Sequence, residues 1–239
     1  MVKSPTVKKI FMLISLLMIF TSCTKKPKNI NFNDISASYN ETDELVISSI
    51  SAEEESDLFK YQIRIPKVVH NLTENNSLQE FNDEIQNYAN ETVKNLESIS
   101  LTPKKDSNKP SLKLDYEIYH GYNIYTIILS ATQDINDISI TNYRSYYISD
   151  TGDYIYNIDD IIEVKEAFPY FTQKIKEKAQ SNDLLFDLQQ AVIYFENKNI
   201  VIKLPPYVFN LDDTEDTDNI FEFSEEEIAR YIKDKINQK

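Results

Sequence analysis

Leu112-Lys113-Leu114-Asp115-Tyr116-Glu117-Ile118-Tyr119-His120-Gly121, followed by Tyr122-Asn123-Ile124-Tyr125-Thr126-Ile127-Ile128, decides the fold. Leu112, Leu114, Tyr116 and Ile118 take every second position, which is the period of a strand that buries one face. His120-Gly121 predicts a turn, and Tyr122, Ile124, Thr126 and Ile128 return beside the first strand as a hairpin.

Upstream, Leu45 to Ser51 and Phe59 to Ile65 are β-prone runs separated by Glu53-Glu54-Glu55-Ser56, with Tyr61, Ile63 and Ile65 on one face; they predict an antiparallel pair. Ser77 and Glu80 have the spacing of a capping box. Leu78, Phe81, Ile85, Tyr88, Val93 and Leu96 then recur at steps close to three and four, so an amphipathic helix is predicted over about 77–99. Pro103 and the polar run to Pro110 end it. Downstream, a strand is predicted through Tyr143 to Ile148, a reversal at Asp150-Thr151-Gly152-Asp153, a return through Tyr154 to Ile158, and a helix from Phe168 to Ala179. Val192 to Phe195 and Ile200 to Leu204 flank Asn197-Lys198-Asn199 as another hairpin. Phe221 to Phe223 is a short strand, and Ser224 with Glu227 forms a second capping box before Ile228, Tyr231, Ile232 and Ile236. The order predicts an α+β fold of antiparallel sheets with helices packed on one face, in two small subdomains, 44–133 and 134–239.

The amino end predicts an address. Lys3, Lys8 and Lys9 precede an apolar run from Ile10 to Phe20, and Thr21-Ser22 precede Cys23. A run of eleven residues is too short to span a bilayer, which needs about 20 apolar residues. Residues 1–22 are therefore expected to be a lipoprotein signal peptide, Cys23 the lipid attachment site, and 23–43 a polar tether. A lone Cys in an exported chain cannot form an internal disulfide, and a thioether to diacylglycerol would occupy its sulfur. The expected location is the cell envelope, outside the cytoplasm, with the membrane as one partner.

Composition narrows the chemistry. The formal net charge is −14, and removal of residues 1–22, with three lysines and no acid, takes it to −17; such a surface repels nucleic acid and attracts cations. His70, His120 and one Cys supply no zinc ligand set and no Ser-His-Asp or Cys-His arrangement; each histidine is expected in a loop. Gly121 and Gly152 are the only glycines, so no phosphate-cradling loop can be written. No cofactor is expected. Asp212, Asp213, Glu215, Asp216 and Asp218 crowd one loop, where clustered oxygens could collect Ca²⁺ but a solvated acidic loop is the plainer expectation.

A family resemblance is carried by Asp150-Thr151-Gly152-Asp153 with Ile158-Asp159-Asp160-Ile161-Ile162, by Ile200 to Pro206 with Tyr207, and by Phe221-Glu222-Phe223-Ser224-Glu225-Glu226-Glu227-Ile228. These segments resemble the extracytoplasmic domain of RsiV-type anti-sigma factors. Residues 44–133 are similar to the companion domain found there and in PdaC-type peptidoglycan deacetylases. The resemblance implies an outward-facing binding module, not an enzyme, with a lysozyme-like cationic protein or peptidoglycan as partner. The stretch Asp134 to Thr141 departs from the family in lacking Gly and His.

Sixteen tyrosines and no tryptophan suit a ligand surface, because phenol rings offer an apolar face and a hydrogen-bonding tip. Tyr119, Tyr143, Tyr146 and Tyr207 are the candidate ligand-binding residues, although alternation places Tyr143 and Tyr147 on one strand face and Tyr146 on the other. A structural lipoprotein without a specific ligand and a carboxylate-dependent wall hydrolase are the alternatives. Intact-mass spectrometry of the native protein is expected to show a chain beginning at Cys23 with acyl groups attached. An unprocessed, unacylated amino end inside the cell would overturn the assigned address.

Overall fold

Strand pairing follows chain order through most of the molecule. The computed structural model describes residues 30, 32–39, 45–70, 76–101, 108–180, 184–205, 208 and 219–233. Strands β1 (Asn33–Tyr39), β2 (Leu45–Glu55), β3 (Lys60–His70), β4 (Ser111–Gly121), β5 (Ile124–Ile135), β6 (Ile138–Ser149) and β7 (Tyr154–Ile155) form one sheet in that order. Helix α1 (Asn76–Ser100) lies between β3 and β4 in the chain. Helix α2 (Val164–Lys178) is followed by β8 (Val192–Glu196), β9 (Asn199–Lys203), β10 (Ile220–Phe223) and α3 (Glu225–Ile228), with the second sheet ordered β10-β9-β8. The fold is α+β, as expected. No described helix is long and apolar enough to cross a membrane.

All neighbours are antiparallel except β3 and β4, which run parallel over Lys60↔Ser111 to Ile63↔Leu114. Alternating side chains look alike in either orientation; a parallel neighbour needs a long crossover, and α1 supplies it. After Ile63 the two strands part. The backbone groups of β3 that point toward β4 then need other partners, and Lys60, whose N–H donates to Pro110 O, fixes which residues these are. Two positions further on at each step come Pro66, which has no N–H to lose, and Val68. The Val68 N–H donates to Asn82 Oδ1 at 2.9 Å, and Asn82 Nδ2 donates to Val68 O at 2.7 Å. One α1 side chain thus replaces a missing strand.

The described turns refine the predicted ones. The β4–β5 reversal falls at Tyr122-Asn123, both with positive φ, instead of His120-Gly121. Asn136-Asp137 makes a second turn of this kind, so β5 and β6 run on through the stretch from Asp134 to Thr141. The 133/134 boundary falls inside β5, all of whose residues pair with β6, and Asn31–Lys239 form one compact unit. The two expected subdomains thus share a continuous sheet. His70 closes β3 and His120 lies in β4, so both stand on strands where loops were expected; the β-ladder carries one residue past each apolar run.

Each sheet has its helices on one face. α1 buries Leu78, Phe81, Ile85, Ala89 and Leu96 against the large sheet. Phe171 of α2, Ile228 of α3 and the β9–β10 side chains Ile200, Ile202 and Phe223 share a second core. The capping box at Ser224 and Glu227 is present.

β8 joins the two layers edge-on. Among the described residues its outer edge has no strand partner, and backbone groups there are satisfied by the large sheet. Phe195 N–H donates to Thr126 Oγ1 at 3.4 Å, Tyr147 OH donates to Ile193 O at 2.9 Å, and Asn197 N–H donates to His120 O at 2.8 Å. Gly121 lies under this contact: a Cβ there would stand 2.6 Å from Asn197 O. Its missing side chain serves close approach, not the turn.

Thr126→Val and Tyr147→Phe each leave a buried backbone group unpartnered and are expected to cost about 1–3 kcal/mol. Gly121→Ala must displace backbone and is expected to cost more. Urea unfolding measures all three; an unchanged midpoint for Thr126→Val and Tyr147→Phe would refute the edge-capping account.

Candidate functional site

β7 is two residues long. It pairs Tyr147↔Ile155 and Ile148↔Tyr154, after which Tyr156 and Asn157 turn away into a 3-10 turn at Ile158–Asp160. From Ser145 back toward Ile138, β6 has no strand on its outer side among the described residues. A cleft of about 560 Å³ opens there, lined by five consecutive β6 residues, Tyr143 to Tyr147. Consecutive residues of a strand point to opposite faces, so one cleft touches all five only by running along the strand's edge.

Two walls close the cleft. On the α1 side stand Glu84, Tyr154 and Tyr156; the Tyr154 hydroxyl donates to Glu84 Oε2 at 2.7 Å, and the Tyr156 hydroxyl donates to Glu80 Oε2. The Tyr154 and Tyr156 rings lie 4.4 Å apart, and Tyr154 meets Phe81 edge-on. On the other side stand Val164 and Phe168 of α2 and the turn Leu188–Gln190 with Ala191, just ahead of β8. The Arg144 guanidinium lies 4.5 Å from the centre of the Tyr88 ring. Ser145 Oγ and the Tyr146 hydroxyl are enclosed, with Arg144 beside Tyr146.

The phenols are held neutral. Burial, then the Glu84 carboxylate, pushes Tyr154 up; burial pushes Tyr147 up; burial raises Tyr146 while Arg144 opposes the rise. For Tyr156 the bond to Glu80 is the main cause of the rise. Nothing here resembles an activated nucleophile. Of the carboxylates lining the cleft, Glu84 accepts from Tyr154 and Asp159 is exposed. Among the described residues no cluster of three or more His, Cys, Asp or Glu side chains could hold a metal ion.

Tyr143 and Tyr146 both line the cleft, despite their opposite faces. Tyr143 stands under Lys203 Nζ, 4.8 Å from its ring centre, and Tyr146, 4 % exposed, meets Phe81 edge-on at 5.8 Å. Tyr119 lies elsewhere: it stacks on Tyr194 at 4.0 Å between the two sheets and donates to Glu117 Oε2 at 2.8 Å. Tyr207, Cys23 and the acidic loop 212–218 lie outside the described residues. The sequence reading missed Arg144, Glu84, Tyr154, Tyr156 and the Gln189-Gln190 turn as cleft residues. The predicted reversal at 150–153 already returns Tyr154 alongside β6, opposite Ile148; no comparable signal marks Gln189.

No protein-family model and no curated protein matches this chain.

Burial, then Glu54, pushes Tyr61 up to about 12, and burial, then Glu225, pushes Tyr122 up to about 12, both from 10.0. A phenol whose folded pKa is raised contributes stability that is full below pH 10 and lost as pH climbs to about 12, because the unfolded chain releases its protons first. Circular dichroism is expected to show stability level up to pH 10 and falling above it. Stability unchanged from pH 10 to 12 would contradict the neutral, buried phenols.

Proposed function

We propose that this protein is a lipid-anchored binding module of the cell envelope, held by acylated Cys23 and facing outward, whose ligand sits in the cleft along β6. The supporting observation is the cleft itself: Tyr143, Tyr146, Tyr147, Tyr154 and Tyr156 converge on one concavity beside an unpaired strand edge. Aromatic rings give contact area at small cost in side-chain entropy, and concave sites with a few polar groups are the usual form of a ligand site. The net charge of −14 favours a cationic partner at long range, and the resemblance to RsiV-type domains points to a lysozyme-like protein or to peptidoglycan.

A hydrolase is the weaker reading. A general acid needs a carboxyl group kept protonated in an apolar pocket, and Asp159 is exposed while Glu84 is engaged by Tyr154.

Pull-down by the full chain at low salt and micromolar protein, with lysozyme and with peptidoglycan as separate probes, tests the proposal. Association with one of them is expected, at least tenfold weaker for the double variant Arg144→Ala, Tyr156→Ala. No association with either, or binding indifferent to both substitutions, would count against the cleft.

A further inference from the structure

We infer that the open edge of β6 takes up an extended, net-basic polypeptide segment as an added strand. The inference rests on the cleft being the ligand site and names the class of ligand it holds.

The direction of the backbone groups carries it. Ser149 N–H donates to Asp153 O, and Ser149 O accepts from Gly152 N–H, so at Ser149 the backbone points to the β7 side. In an antiparallel ladder this direction recurs every second residue, and β5 and β6 pair without a register shift. Tyr147 points the same way, toward Ile155. Ser145, Tyr143 and Thr141 follow, and among the described residues no strand lies opposite them. The hydrogen-bonding row they present matches another backbone at the strand repeat of about 3.4 Å per residue. The rings and hydroxyls of a glycan do not repeat at that spacing.

Three other strand edges carry covers among the described residues. Asn82 and Pro66 occupy the edge of β3 past Ile63, Thr126 and Tyr147 satisfy β8, and Lys178 Nζ donates to Glu222 O on β10 at 2.7 Å. Along β6 from Ser139 to Tyr146 there is no proline and no bulge, and of the charged side chains that guard an exposed edge there is Arg144 alone. Ile138 and Ile140, 62 % and 53 % exposed, extend an apolar strip beyond the cleft. A guest strand would direct alternate side chains to the Tyr154–Tyr156 wall and to the Gln189–Ala191 wall. Two copies of this chain joined through β6 would each bring a net charge of −14, so self-pairing is disfavoured, whereas a basic segment is drawn in.

The test is selection from a random twelve-residue peptide library displayed on phage, with the full chain as bait. Net-basic peptides are expected to be enriched. Methylating the backbone nitrogens at every second position of a selected peptide should weaken binding at least tenfold in one register and little in the other. The Tyr143 and Ser145 amides should exchange at least tenfold more slowly in the complex. Ser145→Pro, which deletes an outward N–H and leaves the β5 ladder intact, should abolish enrichment. No enriched peptide, a flat methylation scan, or amides unprotected in the complex overturns the inference. Protection that grows with protein concentration and accompanies dimerisation overturns it in favour of self-pairing. Wall-glycan fragments that bind in the cleft without protecting these amides overturn it while leaving the binding-module reading intact.

Discussion

A strand edge laid against the face of another sheet must find partners for its outward backbone groups, and the seating of β8 depends on two side chains that supply them. Thr126 accepts the Phe195 N–H, and Tyr147 donates to Ile193 O. A Cβ on Gly121 would stand 2.6 Å from Asn197 O at the end of β8, so this close approach needs glycine. The arrangement holds the α2–α3 layer on the large sheet. It also fixes the Leu188–Gln190 turn, which immediately precedes β8, opposite β6. One wall of the cleft is therefore a by-product of how an edge was satisfied.

The same requirement recurs at the split between β3 and β4. There Asn82 imitates a strand with its amide, donating and accepting as a peptide group would, and Pro66 removes a donor that would otherwise be stranded. Buried backbone groups left without partners each cost about 1–3 kcal/mol, a large share of a stability of about 5–15 kcal/mol. Against that background the run of β6 with no strand opposite it among the described residues differs from these two edges, and tyrosines from both of its faces line one cleft.

The elements with a strong local period could be read from the chain: the Leu112–Ile118 alternation, the α1 face through Phe81 and Ile85, and the capping box at Ser224. What depended on distant partners could not. Parallel pairing of β3 with β4 leaves the alternation of Tyr61 and Ile63 unchanged, so the sequence predicts only a strand there. Gly121 looks like a turn residue because flexibility is the commonest reason for glycine, whereas here Asn197, far along the chain, sets the requirement. Tyr143 and Tyr146 are candidates by their chemistry alone, and that they line one cleft follows from β7 stopping after Ile155. Tyr119, a candidate on the same grounds, lies outside that cleft against Tyr194.

The short parallel junction also bears on the order of assembly. β2–β3 and β4–β5–β6 are built from contacts between neighbouring stretches, while Lys60 meets Ser111 only after a loop of about 50 residues has closed and gained just four residue pairs in return. Such non-local pairings slow the acquisition of structure, and α1 shortens the search by bringing β4 back beside β3. Two separate half-sheets would thus form first, with the helix as the hinge on which their union waits.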